Sequence, residues 1–316
     1  MFDFGNWKPD LCIYHDNCDD GFAAALLVWR QWPHCDFVPG RYGKPLPDMT
    51  GRQVLFVDFS APENALREAG RTATSVIILD HHKTAEADLA PFRAEVENGF
   101  IRHANGDAGT FNGICIEHMS RGETPIFAFF DGQRSGASLT WLFLTGASST
   151  SELPRFVDYI EDRDLWRFSR GDETRMFSAA LRSYPQDFAI WDKLWDHPDE
   201  LIADGGIILR AHRANMKRIM AETHWRDIAG YRVPVVNAPY HYASDLGNEL
   251  LGEHPDAPFA ATWFHRGDGI IQCSLRSDCN RVDVSEIARM LKGGGHRNSA
   301  GFQQPAVDFF AEVARG

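Results

Sequence analysis

The sequence predicts an α/β protein: an N-terminal domain on a parallel sheet and a smaller C-terminal α/β domain with a mixed sheet, joined by a helical linker. Three observations carry this expectation. Short apolar or β-branched runs alternate with helical stretches through the first half, as in parallel sheets covered on both faces. A long stretch of three-to-four apolar spacing follows, and strand-like runs then return in a different arrangement. These changes of pattern set the expected boundaries at 1–195 for the first domain, 196–229 for the linker and 230–316 for the second.

Leu11–Tyr14 reads as the first strand, followed by a polar turn and the Ala-rich helical stretch Phe22–Trp29. Gln53–Phe59 reads as a second buried strand, Pro62–Ala69 as the helix after it, and Ser75–Leu79 as a third strand. Ser135–Leu144 and Leu153–Ile160 have helical patterns, and 99–113 reads as a loop-like insertion. From Pro198 to Ile228 the spacing of Ile207, Ile208, Ala211, Met216, Ile219 and Met220 predicts a long helix or helix pair. Tyr231–Asn237, Ala260–His265 and Ile270–Arg276 read as strands, and Val284–Leu291 as a helix running into Gly293-Gly294-Gly295-His296.

The three early strands end in His15 to Gly21, in Asp58, and in Asp80-His81-His82. Open parallel sheets bind ligands beyond the carboxyl ends of their strands, so these clusters are expected to converge. Carboxylates and imidazoles suit Mn²⁺, Mg²⁺, Zn²⁺ or Fe²⁺, and no thiolate cluster indicates a structural zinc. Two such ions bridged by one carboxylate would polarise a phosphoryl group and generate hydroxide near neutral pH, with Asp58 as the bridging candidate. A single Asp at a strand end is more often a helix N-cap; three strand ends carrying Asp or His favour a site.

The 316 residues hold 44 acidic against 32 basic side chains, a net charge of -12 with His neutral. Residues 1–200 hold 31 acidic and 19 basic side chains, whereas residues 201–316 hold 13 of each. This balance argues against a protein that coats long duplex DNA, which requires Lys and Arg to replace counterions. It leaves room for a short phosphorylated substrate. The six cysteines show no CxxC spacing and suit reduced thiols in a cytoplasmic protein. Met1–Asp10 has no signal-peptide pattern, and no apolar run approaches the ~18–20 residues of a spanning helix, so no membrane partner is expected.

The motifs at the strand ends resemble those of the DHH phosphoesterase superfamily. IYHDNCDDGFAAA (13–25) is similar to the family's first motif, VDFS (57–60) to the second, LDHHKTA (79–85) to the third and YIEDRDLW (159–166) to the fourth. RVDVSEIARMLKGGGHRNSAGF (281–302) resembles the GGGH signature of the DHH-associated domain. The resemblance implies a two-domain, oligoribonuclease-like enzyme with two Mn²⁺ ions, or Mg²⁺, in the N-terminal domain. Carried over by position, it implies His15, Asp20, Asp58, His81 and Asp162 as metal ligands, with Asp80 and His82 supporting catalysis beside Asp58. Many relatives carry Asp where this chain has Cys18, which leaves Cys18 and Asp19 as further candidate ligands. Asp162 and Asp164 compete for the fourth-motif role, and alignment favours Asp162. Asp164 is then left to orient Arg163 or Arg167, or to cap the next turn.

Substrate contacts are expected from four places. Ser135 opens a helix whose free N–H groups could meet an anion, against the alternative of an ordinary N-cap. Gly294 and Gly295 allow close backbone approach, and His296 supplies a donor. Arg276, at a strand end, is the expected phosphate contact. Among the aromatics, Trp166 alone is expected to line the cleft rather than the core. The expected activity is hydrolysis of very short oligonucleotides to mononucleotides. Alternatives are cyclic dinucleotides, 3′-phosphoadenosine 5′-phosphate or polyphosphate as substrate, or a nucleotide-binding sensor without turnover. A homodimer is left open.

Overall fold

In the computed structural model, which describes residues 7–97, 100–147 and 152–313, Leu11–His15 forms β1 and the Ala-rich stretch forms α1 (Asp19–Gln31). There follow β2 (Asp36–Gly40), β3 (Gln53–Val57), α2 (Glu63–Gly70) and β4 (Ser75–Asp80). A short helix α3 (Glu86–Leu89) leads to β5 (Ala94–Glu97), β6 (Phe100–His103), β7 (Ala108–Gly109) and α4 (Phe111–Ser120). Then come β8 (Ile126–Phe130), α5 (Gly136–Thr145), α6 (Arg155–Asp164), α7 (Asp172–Leu181), α8 (Phe188–Leu194) and α9 (Pro198–Met220).

The main sheet has the order β2-β1-β3-β4-β8 with every pair parallel. All six residues of β4 are buried, as a continuous apolar run on a central strand requires. Leu55, Val57, Ile77 and Leu79 face one apolar layer with α1; Val54, Phe56, Val76 and Ile78 face the other. Ala23, Ala24 and Ala25 are fully buried, and their small side chains let α1 lie close to the sheet.

Two strands of this sheet are not among those expected from the sequence. β2 (DFVPG) is only partly buried and contains Pro39, which an edge strand tolerates because no ladder donor is needed there. β8 (IFAFF) forms the other edge. The insertion differs from the expected loop: Gly99 lies outside the described residues, but residues 100–113 contribute β6, β7 and the start of α4, with β5, β6 and β7 pairing antiparallel.

The chain divides into two units between Leu209 and Arg210, within α9. The helix ends at Met220 and not at Ile228, because His224–Ile228 forms strand β9, antiparallel to β10 (Tyr231–Asn237). The second unit continues with α10 (Ala243–Glu253), β11 (Ala260–His265), β12 (Ile270–Arg276), α11 (Val284–Met290), β13 (Gly294–His296), β14 (Ser299–Pro305) and α12 (Ala306–Val313). Its sheet is mixed, in the order β13-β14-β12-β11-β10-β9, with only β10 and β11 parallel. No helix among the described residues is long and apolar enough to cross a membrane.

Candidate metal centre

Adjacent strands β1, β3 and β4 deliver His15, Asp58 and Asp80-His81-His82 to one edge of the main sheet. Two glycines make the approach of the neighbouring helices close. A Cβ on Gly21 would lie 2.5 Å from the His15 carbonyl oxygen, and one on Gly136 would lie 2.3 Å from Asp58 Cβ. Asp58 itself turns the chain, with φ of 54° and its N–H donating to Leu79 O (2.9 Å). That left-handed conformation is one Asp tolerates better than most residues.

Asp58 is the centre of the arrangement. Its Oδ2 lies 3.4 Å from His15 Nδ1, and its Oδ1 accepts from His81 Nε2 at 3.0 Å. His81 Nε2 is also 3.8 Å from Asp20 Oδ2 and 3.6 Å from Asp164 Oδ2. Asp80 accepts from the His81 and His82 N–H groups and from His82 Nδ1 (2.7 Å), which fixes the His82 ring 3.8 Å from Asp58. Three groups of donor atoms, each within 4.8 Å of one another, result: His15, Cys18 and Asp58; Asp58, His81 and His82; Asp20, His81 and Asp164.

The electrostatics are those of crowded carboxylates. Burial would raise the pKa of Asp58, but the imidazoles of His15 and His81, with the charge of His82, hold it well below the usual carboxylate range. Burial pushes Asp20 well up, and the charges of Asp58 and Asp164 add to this. Burial opposes protonation of His81, yet Asp58, Asp164 and Asp20 together push it up to about 10. His82 is also raised: burial opposes protonation, and Asp80 and Asp58 outweigh it.

Several expected contributors are elsewhere. Asp162 is not brought to the cluster: its carboxylate accepts from Ser169 N–H and Oγ (2.7 and 2.6 Å), Arg170 N–H and the Thr174 hydroxyl, so it ties α6 to the turn before α7. Asp164 is there instead. Two residues apart on a helix, the pair points in nearly opposite directions. Asp164 therefore faces His81, while Arg167 pairs with Glu161 and Arg163 stacks on Trp166. Asp19 is held by Arg182 Nε (2.5 Å). Ser135 is fully buried and caps α5 by accepting from Ser138 N–H (3.3 Å), while Gly136 and Ala137 donate to Asp20 (2.5 and 3.0 Å). The first N–H groups of α5 thus hold a protein carboxylate rather than a substrate anion.

In the second unit, Arg276 Nη2 donates to Ser244 Oγ (2.7 Å) and Nη1 to Leu275 O (2.8 Å). Its stem packs where a Cβ on Gly247 would fall, 2.5 Å from Arg276 Cγ. Gly294, Gly295 and His296 form the edge strand β13, paired with Gly301, Ala300 and Ser299. Gly295 is required by the fold, having φ of 139° and Ala300 Cα 2.5 Å from any added Cβ; Gly294 has nothing within 4 Å.

Tyr42 has no motif to mark it. Its ring is half exposed and lies 5.4 Å from His15, 4.9 Å from Phe59 and 6.0 Å from His82. It follows β2, the edge strand with the weak signal, so periodicity gives no reason to select it.

The donor set fits divalent cations: the buried atoms His15 Nδ1 and Asp58 Oδ2 face each other at 3.4 Å and make no hydrogen bond, among carboxylates whose charges oppose one another. No family model matches the chain. The chain is 26% identical over 324 residues to uncharacterized protein R106 of Acanthamoeba polyphaga mimivirus, covering 94% of this chain and 68% of that protein. It is 25% identical over 263 residues to oligoribonuclease NrnB of Bacillus subtilis (strain 168), covering 76% of this chain and 55% of that protein. Among solved structures, the DHH domain of a protein assigned to a family of ribosomal proteins matches with a TM-score of 0.54 at 11% identity, covering 97% of this chain and 85% of that one. By this likeness, the chain has the fold of that DHH domain.

Proposed function

We propose that this protein is a divalent-metal-dependent phosphodiesterase that hydrolyses very short oligonucleotides to mononucleotides. The observation that carries the reading is the convergence of His15, Cys18, Asp20, Asp58, His81, His82 and Asp164 at the ends of adjacent parallel strands. Divalent cations bound there, Mn²⁺ or Mg²⁺ among them, would supply positive charge to a phosphoryl group and lower the pKa of a water molecule. Asp58 holds the centre of the site, with its two oxygens facing different donor groups. His82, whose ring is oriented by Asp80, is placed to donate a hydrogen bond to a phosphoryl oxygen.

Tyr42 offers an exposed ring beside this centre on which a base can stack. Similarity to an oligoribonuclease favours RNA of a few nucleotides over other phosphoesters. Arg276, Gly294 and His296 are the proposed substrate contacts of the second unit. The test is hydrolysis of a panel in Mn²⁺: di- to pentanucleotides of RNA and DNA, long single strands, cyclic dinucleotides, 3′-phosphoadenosine 5′-phosphate and polyphosphate. Preferential cleavage of the shortest RNAs, abolished by Asp58→Ala with the fold retained, is the expected result. Equal cleavage of long strands would refute the short-substrate reading; nucleotide binding with no turnover would leave a sensor.

A further inference from the structure

The first donor group is chemically unlike the others. His15, Cys18 and Asp58 offer nitrogen, sulfur and oxygen, whereas Asp20, His81 and Asp164 offer nitrogen and oxygen only. Cys18 occupies the N-cap position of α1 with extended backbone, φ -119° and ψ 134°, yet makes no capping hydrogen bond through its side chain. Residues favoured at that position cap through an oxygen. Cys18 does not fill an apolar gap either. Cys12, Cys35 and Cys273 lie within apolar core clusters, while Cys18 Sγ lies among an imidazole and a carboxylate. Beside it, His15 Nδ1 and Asp58 Oδ2 are buried without hydrogen-bond partners, and Asp58 is only 1% exposed. The two atoms face each other at 3.4 Å, and the thiol shares their small volume.

We infer that Cys18 is a thiolate ligand of one bound ion together with His15 and Asp58. This position then takes a thiophilic divalent cation such as Zn²⁺, Co²⁺ or Fe²⁺, while Asp20, His81 and Asp164 suit a harder ion. The inference rests on the metal-centre reading above and makes the pair of ion positions chemically unequal. Thiolate is the soft ligand among these donors, and it selects soft or borderline cations over Mn²⁺ and Mg²⁺. On binding, the S–H bond breaks, its electron pair becomes the bond to the cation, and the proton passes to buffer.

Zn²⁺ outcompetes Mn²⁺ at most nitrogen, oxygen and sulfur sites, so the raw order of affinities is no test. The experiment is a Co²⁺ titration of the full chain, with bound Co²⁺ counted by equilibrium dialysis and the near-ultraviolet spectrum recorded. The expected result is a thiolate-to-cobalt charge-transfer band that is lost in Cys18→Ser and Cys18→Asp. Both variants should also lose at least the roughly ten- to hundredfold in affinity that removal of a mere outer-shell partner costs. Cys18→Asp should in addition move the Zn²⁺/Mn²⁺ preference toward Mn²⁺. Bound Co²⁺ without the band, or a band that persists in Cys18→Ser, would overturn the thiolate ligand and leave the metal centre standing. No bound Co²⁺ at all would overturn both. Should the variants fail to fold, mass-spectrometric mapping of alkylated cysteines in the unaltered protein decides. Protection of Cys18 by Zn²⁺ supports the assignment, and equal alkylation with and without bound Zn²⁺ overturns it.

Discussion

Gly136 and Asp58 are packed so closely that a Cβ on the glycine would fall 2.3 Å from the aspartate Cβ. The first turn of α5 reaches the end of β3 only because residue 136 has no side chain, and that same turn donates two N–H groups to Asp20. Gly136→Ala should therefore displace α5, Asp58 or both, at a cost of about 1–3 kcal/mol for overpacking. Chemical denaturation and calorimetric titration with Mn²⁺ should show lower stability and weaker ion binding together. Unchanged ion affinity in a destabilised variant would mean that Asp58 holds its place without α5.

Asp162 and Asp164 separate structure from metal binding. Asp162→Asn exchanges a charged acceptor for a neutral one under Ser169, Arg170 and Thr174, and should cost about 1–3 kcal/mol of stability with ion affinity retained. Asp164→Asn should do the reverse, weakening ion binding with little change in stability, because its partner is His81 at 3.6 Å. The two variants compared by thermal melts and ion titration give opposite patterns; identical patterns would refute the division.

Gly294 and Gly295 are neighbours with different reasons to be glycine. Gly295→Ala meets both a positive φ and Ala300, and should lose more than about 1 kcal/mol of stability. Gly294→Ala has open space and should change stability by less than about 0.5 kcal/mol. If bare backbone at residue 294 meets the substrate, that variant should raise KM with kcat nearly unchanged. An unaltered KM would remove Gly294 from the substrate contacts.

Asp283 gives a pH signature in the second unit. It caps α11 by accepting from Ser285 N–H (2.9 Å) and Oγ (2.6 Å). The Ser285 hydroxyl first, then its N–H and Arg297, hold the carboxyl below its ordinary value against the effect of burial. A depressed folded-state pKa stabilises above the unfolded value of about 3.9, and this stabilisation is lost as pH falls through the folded value. Asp283→Ala should cost about 0.5–2 kcal/mol at neutral pH, and urea denaturation across pH should show the gap closing in acid. A gap that stays constant to low pH would show that the ionised carboxylate contributes nothing.

Much of this architecture is legible in single segments. Long apolar runs mark β3 and β4, and β11 and β12 have the bounds read from the sequence. Segments with weak local signals are missed: β2 is a short edge strand interrupted by Pro39, and β9 exposes most of its residues. Tyr42 escapes notice for the same reason, since it stands in a segment with no periodic pattern.

The chain's own residues determined the donor types and their place at strand ends, because the end of a buried parallel strand follows from a local run of apolar residues and needs no distant partner. Which donors meet was decided only by tertiary structure. Asp20 is held by Gly136 and Ala137 across more than a hundred residues of sequence, and the seating of α6 against α7 turns Asp162 away from His81 and Asp164 toward it. Helix rotation and approach depend on packing between segments remote in the chain, and no local pattern encodes them.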